Sequence, residues 1–334
     1  MAGLSEAYLY LTPYKYLSTG QKFRFELAFA MTREHEKILI DEYSAFLDRD
    51  TAKIVSYMFQ KFISKSKKRV VIITANDDIE DYILPDTVIR FDDFNRIEIY
   101  KKKKDTNSNL FERDFEILKG NYDDLQLLER YHYFGDVKEG TLIRRKAKFY
   151  SLYYKKKLMG IAITTSPYTD TVTETDLINI NDSLRIIYRI ILHPKIRGIG
   201  GTKLLYNHFL KKEKKLLFIR SAMAVEHPFV SSLGMIENQH VDYENTSGYQ
   251  NLLKLIDHNS DQKSVFETAT NLLGHIMWEE YKGYLNIIGD KSNLTETFFI
   301  DVVKNTFNRN KDLQLVLEIL KPIVMKEYYY DNRL

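Results

Sequence analysis

The chain has 334 residues, 44% of them apolar, with 49 Lys and Arg against 46 Asp and Glu for a formal charge of +3. That length and apolar content suffice for two or three domains with cores and exclude a disordered polymer, while so small a net charge excludes a globally basic protein and leaves any basic surface local. Zero cysteines exclude disulfides, thiolate nucleophiles and cysteine zinc sites, no run approaches the roughly 18 apolar residues that span a bilayer, and Met-Ala-Gly-Leu-Ser-Glu lacks the regions of a signal peptide, so a cytoplasmic protein without a membrane or metal site is expected.

Ser18 to Thr32 reads as a helix, because Ser18 and Thr19 can cap it and Phe23, Leu27, Ala30 and Met31 recur at helical spacing. Ile38 to Ile40 reads as a buried strand ending in Asp41-Glu42, Thr51 to Ser64 as a second helix, and Val70 to Thr74 as an apolar strand of a parallel sheet. Val88 to Phe91 and Arg96 to Lys101 look like two closing strands, and the polar run Lys101 to Asn109 like a linker. Asp123 to Arg130 is helix-like and leads into Tyr131-His132-Tyr133, where His132 either lines a pocket or packs as a core histidine between tyrosines.

Lys148 to Tyr154 and Lys157 to Thr165 alternate as a hairpin about Lys155-Lys156. With Arg144, Arg145, Lys146, Phe149, Tyr150, Tyr153 and Tyr154 this makes a basic aromatic patch, either a solvated strand pair or a surface for phosphate contact and base stacking. Ile186 to Leu192 is a β-branched strand that runs through His193-Pro194 into Lys195-Ile196-Arg197-Gly198-Ile199-Gly200-Gly201-Thr202, ahead of a helix-like Lys203 to Phe209. Glycines there let backbone approach a pyrophosphate, whose charge successive N–H groups and a helix N-terminus can meet. Leu216 to Met223 is another strand, followed by His227-Pro228-Phe229-Val230 and a turn ending Gly234-Met235. His132, His193, Glu226 and His227 are the titratable candidates for proton transfer. Beyond Tyr249 the periodicity is helical, in Phe266 to Trp278, Phe298 to Phe307 and Leu313 to Met325, without a chemical motif.

Three early motifs resemble the C-terminal half of an ABC-type ATPase: Leu17-Ser18-Thr19-Gly20-Gln21 the signature loop, Ile38-Leu39-Ile40-Asp41-Glu42 Walker B, and Ala45-Phe46-Leu47-Asp48 the D-loop. The resemblance implies that Asp41 holds the magnesium water shell, that Glu42 polarises the attacking water, and that Ser18, Gly20 and Gln21 reach a nucleotide bound on another subunit. Two departures stand out. Ala75 takes the place of the switch histidine, and the sixteen residues before Leu17 are too few for a phosphate-binding loop with its strand and helix. ATP hydrolysis by this chain alone is therefore not expected; ATP and Mg enter only if a separate polypeptide or a second copy supplies the missing half, beside the edge left open in the sheet.

The second resemblance is to the GNAT acyltransferases, whose pyrophosphate-binding motif follows a strand as Lys195 to Thr202 do here. It implies an acetyl-CoA site, or one for another acyl-CoA, at Arg197, Gly198, Gly200, Gly201 and Thr202, with the backbone of Ile190 to Leu192 orienting the thioester carbonyl. Many relatives carry a proton-donating tyrosine at the position of Val230, so His132, Glu226 and His227 are left as catalytic candidates. Together the motifs are similar to archaeal and phage proteins that fuse an ABC-type ATPase to an acetyltransferase, and more weakly to Mom-type proteins that modify adenine in DNA. The expected α/β chain therefore comprises a partial ABC-type ATPase over 1–104, whose parallel sheet lacks the phosphate-loop strand, a GNAT α+β domain over 113–244 and a helical appendage over 245–334. The acceptor is a nucleobase or another amine. The alternative is a non-catalytic assembly subunit whose signature segment completes a partner's ATP site.

Overall fold

The computed structural model describes residues 3–4, 9, 11–92, 94, 96–102, 110–132, 136–221, 224, 229–238, 252–256, 261–291, 293–307, 313–320 and 326–331. Ser18 starts the first long helix by a reciprocal cap: its Oγ accepts from the Gln21 N–H, and the Gln21 side chain accepts from the Ser18 N–H at 2.9 Å. This helix, α1 (Thr19–Thr32), buries Leu27 and Met31 four residues apart. Strand β1 (Lys37–Ile40), helix α2 (Arg49–Ile63) and strand β2 (Arg69–Ile72) follow, and β1 pairs parallel to β2 with Ile38 opposite Val70 and Leu39 opposite Val71. Asp48 caps α2 by accepting from the Thr51 N–H at 3.1 Å.

Leu27, Met31, Tyr43, Val55, Phe59 and Ile79 form the core of this part, with Ile40, Val70 and Ile72 against it from the strands. The opposite face differs from the buried strand expected over Ile38 to Ile40. Leu39, Val71 and Ile73 are 71%, 58% and 52% exposed, since side chains alternate along a strand and only the inner set meets a layer of described residues. After the short helix α3 (Glu80–Ile83), strands β3 (Thr87–Phe91) and β4 (Ile97–Lys101) pair with each other as a separate antiparallel sheet and do not extend β1 and β2. Most of the linker expected over Lys101 to Asn109 lies outside the described residues.

A mixed seven-stranded sheet forms the largest structure. Its strands are β5 (Phe115–Lys119), β6 (Lys148–Tyr154), β7 (Lys157–Thr165), β8 (Leu184–Leu192), β9 (Leu216–Ser221), β10 (Ile236–Glu237) and β11 (Lys326–Tyr330), in the order β10-β11-β9-β8-β7-β6-β5. Helix α4 (Tyr122–Glu129) follows β5, α5 (Glu139–Arg144) precedes β6, α6 (Thr175–Ser183) precedes β8 and α7 (Gly201–Lys212) follows it. The hairpin expected about Lys155-Lys156 is present, and both lysines have positive φ, 49° and 64°, the twist that a two-residue hairpin turn demands. By Cα packing the chain divides into one unit of Met1–Asp136, Phe149–Ala162 and Ile190–Leu205 and another of Val137–Lys148, Ile163–Arg189 and Tyr206–Leu334.

The C-terminal segment is not wholly helical. Helices Gln262–Ile288, Glu296–Thr306 and Leu313–Ile319 are followed by β11, which pairs antiparallel with both β9 and β10. Tyr328-Tyr329-Tyr330 is an aromatic run suited to a strand, too short to interrupt the helical periodicity that precedes it. The two longer helices meet where Gly274 lies against Ile300: a Cβ at Gly274 would stand 2.6 Å from the Ile300 Cα and 2.9 Å from its nitrogen.

Backbone cannot retreat as a side-chain end can, so Gly274→Ala is expected to lower stability by about 1–3 kcal/mol, the range for overpacking. Helix propensity alone calls for a gain of about 1 kcal/mol. The sign of the change in urea denaturation midpoint decides between them.

Candidate functional site

Strand β8 runs parallel to β9 for four residue pairs, from Leu184 opposite Leu216 to Ile187 opposite Ile219, and the ladder then stops although β8 continues to Leu192. The end of β8 is secured by the His193 N–H donating to the Met159 carbonyl at 2.8 Å. The chain then turns through a 3-10 segment, Pro194–Ile196, and enters α7 at Gly201.

Arg197 braces this turn from behind. Its Nε donates to the Leu192 carbonyl at 3.1 Å and one terminal nitrogen donates to the Tyr131 carbonyl at 3.3 Å. The His193 Nδ1 accepts the Lys195 N–H at 3.1 Å, which places the proton of the neutral ring on Nε2, and the Tyr131 ring stands edge-on to His193 at 4.8 Å. Burial and then the charges of Arg130, Arg197 and Lys195 push the His193 pKa down, because each disfavours a further positive charge.

Gly198 and Gly200 take φ values of +88° and +97°, a region closed to most residues. Met58 of α2 lies over Gly198, so that a Cβ there would meet its Cε at 2.9 Å, whereas a Cβ on Gly200 would meet nothing within 4 Å. Gly201 lies close to Leu152 and Leu192. Among the described residues the N–H groups of Gly198, Ile199, Gly200, Gly201, Thr202 and Lys203 have no backbone acceptor; Leu204 is the first so paired, to the Gly200 carbonyl at 3.0 Å. Six successive N–H groups at the start of a twelve-residue helix thus have no backbone acceptor among the described residues. Six of the expected cofactor residues, Leu192, Arg197, Gly198, Gly200, Gly201 and Thr202, lie along it, with Ile190 two residues before Leu192.

His132 follows α4, its N–H donating to the Glu129 carbonyl at 2.9 Å, and its neighbour Tyr131 accepts from Arg197 of the turn. Glu226 and His227 lie outside the described residues, while Val230 is buried. Beside the turn, a cavity of about 200 Å³ is lined by Arg24, Thr51, Ile54, His193, Pro194 and Lys195 among others. Lys195 donates from Nζ to Asp48 at 2.9 Å. Burial alone would raise the Asp48 pKa, but hydrogen bonds from Thr51 and Lys195 bring it down to about 2. Neither Asp48 nor Met58 carries a sequence signal for this role, since each reaches a partner more than a hundred residues away.

At the N-terminal motifs, Ser18 and Gln21 are joined in the α1 cap, and Gly20 stands so close to the Phe46 carbonyl that a Cβ would be 3.1 Å from it. The signature-like and D-loop-like segments are therefore in contact within one chain. Asp41 and Glu42 are exposed at the end of β1, with the Asp41 carboxylate accepting the Glu42 N–H at 2.9 Å. The basic hairpin is partly neutralised: Lys148 pairs with Glu213, Lys155 pairs with Asp50, and Arg145 donates to the Ser166 and Pro167 carbonyls. Lys156 and Lys157 are exposed. No helix among the described residues is long and apolar enough to cross a membrane.

No family model matches the chain. It is 30% identical over 105 residues to the energy-coupling factor transporter ATP-binding protein EcfA1 of Leuconostoc mesenteroides, covering 30% of this chain and 39% of that protein. Over 65 residues it is 38% identical to the lipoprotein-releasing system ATP-binding protein LolD of Protochlamydia amoebophila, covering 20% of this chain and 28% of that protein. The chain thus spans well under half the length of these curated relatives. Among solved structures, the ribosomal-protein-S18-alanine N-acetyltransferase of Escherichia coli is similar at a TM-score of 0.29 and 18% identity, over 37% of this chain and 79% of that one. Malonyl-CoA decarboxylase of Cupriavidus metallidurans has a TM-score of 0.28 and 11% identity, over 96% and 87% of the two chains.

Because its folded-state pKa is depressed, His193 is expected by NMR titration to remain neutral below the ordinary imidazole value near 6.5. Arg197→Gln should move that pKa upward, as a neighbouring cation is removed. The linked stability is intact above the ordinary value and declines as pH falls from there through the folded-state pKa, where the unfolded chain binds the proton more readily.

Proposed function

We propose that the chain is an acyl-CoA-dependent N-acyltransferase of GNAT type. The observation that carries this is the row of unpaired amides from Gly198 to Lys203 beside the open space at Gly200. Such a row at a helix N-terminus suits a diphosphate, whose oxygens accept several N–H bonds at once while the helix dipole favours their charge. Gly198, Gly200, Gly201 and Thr202 would hold the pyrophosphate by main-chain contact. Arg197, bonded to two carbonyls, would keep the turn in shape. The end of β8 from Ile190 to Leu192, past the point where its ladder with β9 stops, would present backbone to the thioester carbonyl.

The chemistry that a bound acyl-CoA brings is an activated carbonyl: an amine forms the new C–N bond, the C–S bond breaks, and one proton passes from nitrogen to the departing sulfur. Val230 supplies no proton. His193 has Nδ1 occupied by the Lys195 N–H and its ring proton on Nε2, which makes it a support for the turn rather than a ready base. We assign proton transfer to the set His132, Glu226 and His227, with His132 next to the residue that touches the turn. The acceptor is an amine, of which a nucleobase is one kind; the exposed Lys156 and Lys157 would suit a nucleic-acid acceptor, while the pairing of Lys148 and Lys155 favours a smaller one.

A second reading is favoured by the uncovered aliphatic face of β1 and β2. A parallel sheet is ordinarily buried on both faces, so Leu39, Val71 and Ile73 suit the missing half of an ATPase on another polypeptide or a second copy, with Ser18, Gly20 and Gln21 offered to its nucleotide and Asp41 and Glu42 to magnesium.

Calorimetry with acetyl-CoA is expected to give saturable heat that Gly200→Glu abolishes, because the substitution strains a positive φ and places a carboxylate among the phosphate-binding amides. No heat at millimolar acetyl-CoA overturns the transferase proposal. For the assembly reading, light scattering with and without ATP is expected to show a self-associated species that Val71→Asp disperses; a monomer at every concentration, together with no ATP binding, excludes self-completion.

A further inference from the structure

The first turn of α2 carries two carboxylates, and each holds a lysine from a connection of the large sheet. Asp48, the cap, accepts from Lys195 in the turn after β8, and Asp50 accepts from Lys155 at the β6–β7 turn, whose Nζ also stands 3.9 Å from Asp114. Both acids lie at a helix N-terminus, where the dipole favours negative charge. Two turns further along α2, the Met58 thioether covers Gly198, with Cε, Sδ and Cγ at 2.9, 3.3 and 3.6 Å from where a Cβ would be. One rigid helix therefore touches the phosphate-binding turn at Lys195 and again at Gly198, and leaves Gly200 uncovered.

We propose that α2 is the positioning element of this turn: Asp48 holding Lys195 and Met58 lying on Gly198 keep the chain in the shape that turns the Gly198 to Lys203 amides outward, so that the ATPase-like segment sets the affinity for acyl-CoA. This rests on the acyl-CoA reading above. Asp48 and Met58 act through the turn and touch no cofactor themselves. A turn with two glycines at positive φ has many alternatives when free, and fixing it beforehand removes an ordering cost from binding. The same arrangement withholds Lys195 from the phosphates, because its ammonium is committed to Asp48.

Asparagine caps a helix about as well as aspartate, so Asp48→Asn removes the ion pair while keeping α2 started. Calorimetry of the full chain with acetyl-CoA is expected to show affinity weakened about two- to fivefold by Asp48→Asn, as for a partly exposed pair, with the chain still folded and its melting temperature at most slightly lowered. Lys195→Gln should weaken it similarly, and the double variant should be no weaker than the weaker single one. Met58→Ala should weaken it about three- to tenfold through lost preorganisation, and Met58→Leu should restore most of that. An Asp48→Asn variant that binds as tightly as the wild type, or more tightly because a freed Lys195 reaches the phosphates, overturns the proposal and leaves the acyl-CoA reading standing. No heat from the wild type removes both.

Discussion

Every peptide N–H in a turn either pairs within the protein or is left for a ligand or water, and among the described residues those of Gly198 to Lys203 have no backbone acceptor, while other groups hold the shape of the turn. Leu192 offers its carbonyl to Arg197 Nε, His193 offers Nδ1 to the Lys195 amide, and Met58 covers Gly198. None of these contacts consumes a donor from the glycine segment. The turn's own main-chain bonds, from Ile196 to His193 and from Arg197 to Pro194, stop short of the glycine segment. The absence of a Cβ matters differently at the two glycines: Gly198 admits a neighbouring side chain, and Gly200 leaves a space.

The N-terminal motifs raise an energetic question of a different kind. A two-stranded parallel sheet exposes polar edges and buries only one face, and here the inner face is closed by α1 and α2 while Leu39, Val71 and Ile73 meet solvent. At about 25 cal/mol per Å² of apolar surface removed from water, covering three aliphatic side chains offers a partner a few kcal/mol. That is enough to bias an association and small enough for the inner core to stand without it. Leu27, Met31, Val55 and Phe59 supply that core from the two helices, which is why the region keeps its βαβ form although the sheet has two strands among the described residues.

The elements that could be read from sequence were those with a local cause. The Ser18 cap, the apolar spacing of α1, the alternation about Lys155-Lys156 and the strand–glycine–helix succession at 186–209 all depend on residues within a turn or two of one another. What could not be read depends on distance along the chain. Asp48 reads as the end of a D-loop-like segment and is also the partner of Lys195; Leu39 reads as buried because its neighbours are apolar, when only its alternate neighbours meet a core. β11 was hidden for the same reason, since a five-residue strand gains its place from β9 and β10 on either side and not from a pattern of its own.

Charge around the turn follows one plan at two depths. Burial and then the charges of Arg130, Arg197 and Lys195 lower the His193 pKa, while Lys195 and Lys155 are each answered by a carboxylate of α2's N-terminal end. Had Lys195 and Lys155 been unpaired, the field at the turn would have been stronger, and polyanions of any sort would be drawn to it at low ionic strength. With both paired, the anion recognition proposed above would fall to the uncharged amides, which have direction as well as polarity and so favour an anion with oxygens spaced to meet them. A pyrophosphate held in this proposed way would need little net positive charge, consistent with a chain whose acids and bases nearly balance.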